Sequence, residues 1–151
     1  MRQRELVRCG PSLQQWERQL RTGQSISLHD GSKGGKSRQI FIPPERRDNA
    51  LRAVQALAEL SNAQDGKVVA SKTLESACRL VSAQFAKLGL SAENSGHSLR
   101  RSFAMDQFKH YMSEGYSQKE ALGMASIDLG HGDSRGRWVY NNYLRGTLEG
   151  A

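Results

Sequence analysis

The sequence predicts an α+β fold, mainly helical, with one small antiparallel β-hairpin. Three observations carry this. Apolar residues recur at three- and four-residue spacing through most of the chain beyond residue 45. Two short period-two runs, residues 25–29 and 39–42, flank a Gly-rich loop near the start. The length of 151 residues suits one domain with one modest core.

The elements follow in order. Residues 1–9 read as a helix with Leu6 and Val7 on its apolar side, and Gly10-Pro11 stops it. This helix opens at the first residue with nothing upstream to cap it, so the chain is expected to be a fragment of something longer. The two strands come next. Residues 30–38 between them form a basic, Gly-rich hairpin loop, and Pro43-Pro44 ends the second strand.

Residues 46–60 are expected to form an amphipathic helix, with Ala50, Leu51, Val54, Leu57, Ala58 and Leu60 as its apolar positions. A turn at Asp65-Gly66 follows. Ser71 is the expected N-cap of a helix running to Leu88, with Leu74, Ala77, Cys78, Val81, Phe85 and Leu88 on one face. Gly89 closes it. A helix over residues 98–113 should turn Leu99, Phe103, Phe108 and Met112 inward. Ser117 and Glu120 form an S-x-x-E capping box, opening a helix that stops near Gly130. A polar turn over residues 132–136 leads into a last short helix, residues 137–144.

Composition narrows the function. No window approaches 18 consecutive apolar residues, and the first ten residues hold no apolar signal segment. A membrane role is not expected, and a cytoplasmic location is. The two cysteines, Cys9 and Cys78, are too few and too far apart for a disulfide or zinc framework, so they read as reduced thiols. Lys and Arg number 22 against 15 Asp and Glu, a formal charge of +7, of which +5 lies in the first 50 residues. A pI near 9.8 with one strongly basic end suits a polyanion, most simply nucleic acid.

Three patterns carry chemistry. His97 and Arg100 form H-x-x-R, which puts both on one helical face. Leu129-Gly130-His131 is the second. Tyr140, nine residues after His131, is the third. Each alone is common in packed or surface roles.

Together they resemble the catalytic domain of the tyrosine recombinases, the phage-type integrase family. Its core reads R…K…H-x-x-R…(H/W)…Y, with L-G-H followed nine residues later by the nucleophilic tyrosine. The family's first arginine lies in G-[LM]-R-x-x-E-[LA], and Arg2, Glu5 and Leu6 fit it. Its lysine lies in a hairpin loop such as G-K-G-x-K-x-R. Residues 32–38 match, with Lys33 at the catalytic position and Lys36 as the alternative. The resemblance spans the whole chain in the family's order. Two features depart from it. Arg100 and His131 stand 31 residues apart, longer than in compact members. The DNA-clamping domain that family members carry upstream has no counterpart in residues 1–151, so weak DNA binding is expected of this catalytic domain alone.

The resemblance implies the roles. Arg2 and Arg100 would bind the non-bridging phosphate oxygens bidentately. Tyr140 would attack phosphorus, with His97 taking its proton or orienting the phosphate. Lys33 would protonate the leaving 5′-oxygen, and His131 would hydrogen-bond the phosphate. No cofactor and no metal are needed, because the 3′-phosphotyrosine conserves the bond energy. Neither a phosphate-binding G-x-x-x-x-G-K-[ST] loop nor clustered carboxylates occur. Lys36, Arg38, Arg101, Arg135 and Arg137 are candidate DNA contacts, with solvated charge as the plainer reading. The implied partner is double-stranded DNA, with a tetramer on DNA and a monomer alone. Tyr143, one turn beyond Tyr140, is the competing nucleophile. Trp138, His29 and His110 read as packing or surface residues. Two other functions stay open: a DNA-binding integrase fragment without turnover, and a phosphodiesterase using His97 and His131.

Overall fold

The computed structural model describes residues 2–29, 37–90 and 96–148. The chain divides into two compact units, Met1–Ser91 and Ala92–Ala151.

In the first unit, α1 (Gln3–Arg8) begins later than expected: Arg2 is not its second helical residue but its extended N-cap, joined to Glu5 in a capping box. It stops just before Gly10-Pro11, as expected, with Cys9 as C-cap, but the Gly10-Pro11 segment is not a plain loop. It forms a 3₁₀ turn, Gly10–Ser12, that feeds α2 (Leu13–Arg21), a helix the sequence reading missed. Proline is harmless there because the N–H it lacks would have no partner in a first turn. The signal for α2 was Leu13, Trp16 and Leu20 at helical spacing, and all three are buried.

Helix α2 carries the hairpin. Trp16 Nε1 donates to the Ser27 carbonyl at 2.6 Å, and the Gln19 amide bonds both Ser27 N–H and Ser27 Oγ, at 3.1 and 3.0 Å. Strands β1 (Ile26–Leu28) and β2 (Arg38–Ile40) pair antiparallel, Ile26 opposite Ile40 and Leu28 opposite Arg38. Both are shorter than the period-two runs that predict them.

Helix α3 (Pro44–Ala63) starts earlier than expected, because Pro44 fits its first turn. Of its apolar positions Val54 is buried, while Leu60 is 48% exposed. The turn at Asp65 and Gly66 has positive φ at both, 52° and 80°. Gly10 packs under this turn: a Cβ there would lie 2.1 Å from the Gly66 carbonyl oxygen. Helix α4 (Leu74–Lys87) is capped by Thr73, whose hydroxyl accepts the Ser76 N–H at 3.2 Å. The expected cap, Ser71, instead bonds the Thr73 carbonyl and the Ser76 hydroxyl. Gly89, at φ 76°, closes the helix as expected. Its N–H reaches Ala86 and that of Leu90 reaches Phe85, a Schellman pattern. Leu88 is 74% exposed rather than inward, since it is the C-cap residue beyond the last regular turn.

In the second unit, α5 (Gly96–Ser113) buries Ala104, Met105, Gln107, Phe108 and Tyr111. Leu99 and Met112 are exposed, contrary to expectation. At 100° per residue Leu99 lies on the far side from Ala104, and Met112 falls at the margin of the buried stripe. The Ser117–Glu120 box caps α6 (Gln118–Asp128) as read. A 3₁₀ turn, Asp133–Arg135, leads to α7 (Gly136–Val139), a π turn over Tyr140–Leu144, and α8 (Arg145–Leu148). The last helix therefore runs longer than expected and widens at Tyr140. Gly136 permits close approach to α6, where a Cβ would meet Leu122 and Gly123 backbone atoms at 3.1 Å. Among the described residues no helix is long and apolar enough to cross a membrane.

Candidate functional site

In the first unit Arg2 meets a buried carboxylate. Glu5 is fully buried, and α1 positions it because it stands three residues after the N-cap residue Arg2. Its carboxylate accepts the Arg2 backbone N–H, half of a capping box, and Arg2 Nη1 at 3.2 Å. Across the unit, Arg38 at the start of β2 grips the same carboxylate bidentately, Nη1 to Oε1 at 2.8 Å and Nη2 to Oε2 at 3.1 Å. Burial alone would raise the Glu5 pKa. The Arg38 guanidinium and the Arg2 N–H outweigh it and hold the carboxyl below its ordinary value. The x-x-E spacing after Arg2 thus has a physical purpose.

Arg38 sits elsewhere than expected. Its side chain is 9% exposed, against 29% for Arg2. A guanidinium spent on an internal carboxylate is poorly placed for DNA, so it reads as a partner of Glu5. Lys33 and Lys36 lie outside the described residues.

In the second unit the end of α6 organises the site. Leu129 is its C-cap, and Gly130 takes the left-handed conformation, φ 75°, that glycine adopts without strain. The His131 N–H then bonds the Ser126 carbonyl at 2.9 Å, and that of Gly130 bonds Ile127 at 2.8 Å. This Schellman pattern gives the Leu-Gly-His block its order: an apolar cap, a left-handed glycine, then a histidine pinned by its backbone. The His131 ring lies against Trp138, centroids 4.5 Å apart, and near Tyr143 at 6.3 Å. Arg100, from α5, donates Nη2 to the Leu129 carbonyl at 2.9 Å. Arg100 and His131 are therefore fastened to the same helix end. His97 falls in the first turn of α5, and its side chain lies outside the described residues.

The two tyrosines differ. Tyr143 is 5% exposed and belongs to the core, beside Trp138. Tyr140 is half-buried and lines a cleft of about 460 Å³ with Gln118, Lys119, Leu122, Ser134, Gly136 and Arg137. It opens the π turn, a widened helical geometry often found at functional positions. Arg101, Arg135 and Arg137 are exposed.

Behind Leu129 lies a buried polar network the sequence reading did not anticipate. Asp128 Oδ2 accepts Gln107 Nε2 at 2.6 Å and the Tyr111 hydroxyl at 2.9 Å. Burial first, then the Asp128 charge, drives the Tyr111 pKa far above that of an ordinary phenol. Gln107 and Tyr111 lie on the inner stripe of α5, which was the available signal. Among the described residues no three His, Cys, Asp or Glu side chains gather as metal ligands.

A family model described as integrase matches residues 1–106, a span that includes Arg2, Glu5, Arg38 and Arg100 and ends before His131 and Tyr140. No curated protein and no solved structure matches the chain.

Proposed function

The chain belongs to the integrase family, and from that premise we propose that it cuts and rejoins duplex DNA through a covalent 3′-phosphotyrosine formed by Tyr140. The observation that supports this best is the contrast between the two candidate tyrosines. A nucleophile has to meet a DNA strand, and Tyr140 opens onto a cleft bearing Lys119 and Arg137, whereas Tyr143 is packed in the core.

The phenol oxygen attacks phosphorus, the phosphorus–oxygen bond to the 5′ side breaks, and the leaving 5′-oxygen takes up a proton. Charge builds on the non-bridging oxygens during attack, and guanidinium groups stabilise it most where they are already oriented. Arg100 has this property. One of its N–H donors is committed to the Leu129 carbonyl, which sets the plane of the group and leaves other donors for phosphate. His131, held by its backbone and by the Trp138 ring, supplies a second oriented group. Arg2 supplies the second guanidinium and Lys33 the proton for the 5′-oxygen, with His97 accepting the tyrosine proton. The DNA-bound form is a tetramer.

The test needs no knowledge of the target site. The protein is incubated with a pool of nicked suicide duplexes randomised around the nick, and covalent adducts are read on a denaturing gel. Wild type and Tyr143→Phe should form the adduct, and Tyr140→Phe should not while still binding duplex. Adduct in Tyr140→Phe and none in Tyr143→Phe would move the nucleophile to Tyr143. Binding without any adduct would leave a DNA-binding module, and released phosphate ends without adduct would leave a phosphodiesterase.

A further inference from the structure

Three charged groups meet in the first unit, Arg2, Glu5 and Arg38, and only one of the two arginines is turned outward. Glu5 is fully buried and Arg38 nearly so, while Arg2 keeps three times the exposure of Arg38. Arg38 holds the Glu5 carboxylate with two bonds at 2.8 and 3.1 Å. Arg2 reaches it with one guanidinium contact, at 3.2 Å. A buried carboxylate facing a single arginine would be expected to take that arginine in the fork-to-fork geometry both groups favour. It would cancel the arginine's charge and occupy the donors that a phosphate needs. We infer that Arg38 is a positioning residue that saturates Glu5, so that the carboxylate anchors Arg2 by one edge and leaves its charge and outer donors for a DNA phosphate.

The charge balance supports this. Two guanidiniums and one carboxylate leave the cluster at +1, and the surplus lies on the exposed member. Without Arg38 the Arg2–Glu5 pair is neutral. Arg38 then acts on catalysis without touching DNA. This rests on the reading of Arg2 as a phosphate-binding residue, and the experiment separates the two.

Adduct formation on the randomised suicide duplexes is measured for Arg2→Ala, Arg38→Gln and the double variant Glu5→Gln/Arg38→Gln, with folding followed by Trp16 fluorescence. Arg2→Ala should lower the adduct rate by about a hundredfold, the scale of losing one oriented donor to a developing oxyanion. If Arg2→Ala matches wild type, the phosphate-binding reading of Arg2 fails, whatever Arg38 does. Arg38→Gln should cost at least about tenfold, because Glu5 then claims Arg2. In the double variant the side-chain amide that replaces the Glu5 carboxylate still accepts a bond from Arg2 but carries no charge. The rate should return to within about tenfold of wild type, since neutralising both members of a buried pair is often tolerated. A merely structural pair would slow Arg38→Gln only in proportion to its unfolded fraction, read from Trp16 fluorescence, and leave the folded variant as fast as wild type. A direct DNA contact by Arg38 would give no rescue, and the slope of log affinity against log salt would fall by about one. Either result overturns the inference. Should Arg38→Gln fail to fold, the double variant decides. A folded double variant forming adduct within about tenfold of wild type upholds the inference, and a folded but inactive one refutes it.

Discussion

Removing the Asp128 carboxylate should unlock the second unit. In Asp128→Ala the Tyr111 hydroxyl and the Gln107 amide both lose the oxygen they share, at 2.9 and 2.6 Å. Gln107 and Tyr111 are 0% and 6% exposed, so water cannot replace it without opening the core. Each hydrogen bond lost to a charged acceptor costs about 1.5–3 kcal/mol, so two cost about 4 kcal/mol. For a unit of 60 residues that is a fall in melting temperature of roughly 16–32 °C. Asp128→Asn keeps an oxygen in place and should lose only the charge assistance, about 1–2 kcal/mol. Tyr111→Phe removes one donor and should cost a similar amount. The readout is clean because the chain has two tryptophans, one in each unit. In a Trp16→Phe background the thermal transition reported by Trp138 belongs to the second unit, and Trp138 lies directly on the His131 ring. An Asp128→Ala variant within about 0.5 kcal/mol of wild type would refute the reasoning, since that is the scale of an inconsequential surface change.

Three further outcomes are expected. Gly10→Ala should destabilise by about 1–3 kcal/mol in urea unfolding, because its Cβ would lie 2.1 Å from the Gly66 carbonyl oxygen and the turn must move. Gly66→Ala meets open space and should cost only the strain of its positive φ, about 1 kcal/mol. The Glu5 pKa is lowered in the folded protein, so its stabilisation is present above the unfolded carboxyl value near 4.3 and is lost as pH falls through the lower folded value. Unfolding midpoints measured from about pH 5 downward should therefore fall less steeply in the Glu5→Gln/Arg38→Gln variant than in wild type. Binding to a short duplex should weaken by at least about tenfold between about 50 and 200 mM salt, since even two phosphate contacts give that slope. A flat profile by fluorescence anisotropy would argue against a phosphate-led interface.

Much of this protein was legible as sequence, because the informative features are local. Period-two alternation marks the hairpin whatever surrounds it. Ser117 and Glu120 announce α6, since a capping box is complete within four residues. Gly89 and Gly130 close their helices because only a left-handed residue satisfies the last carbonyls. The Leu-Gly-His block and Tyr140 stood out only through their resemblance to the family's pattern. What the sequence left open depends on which groups meet across the chain. Arg38 looks like a surface cation in a basic loop, and only the fold brings it to Glu5, 33 residues earlier, in a buried pair. Leu88, Leu99 and Met112 have apolar side chains that periodicity sends inward. Their exposure was decided by where the helix ends and which stripe its neighbours cover. Tyr140 and Tyr143 differ by one turn and by no local rule. Packing around Val139, Leu144 and Trp138 buries one and leaves the other at a cleft, because burial is a property of the neighbours a residue acquires, and those come from α5 and α6.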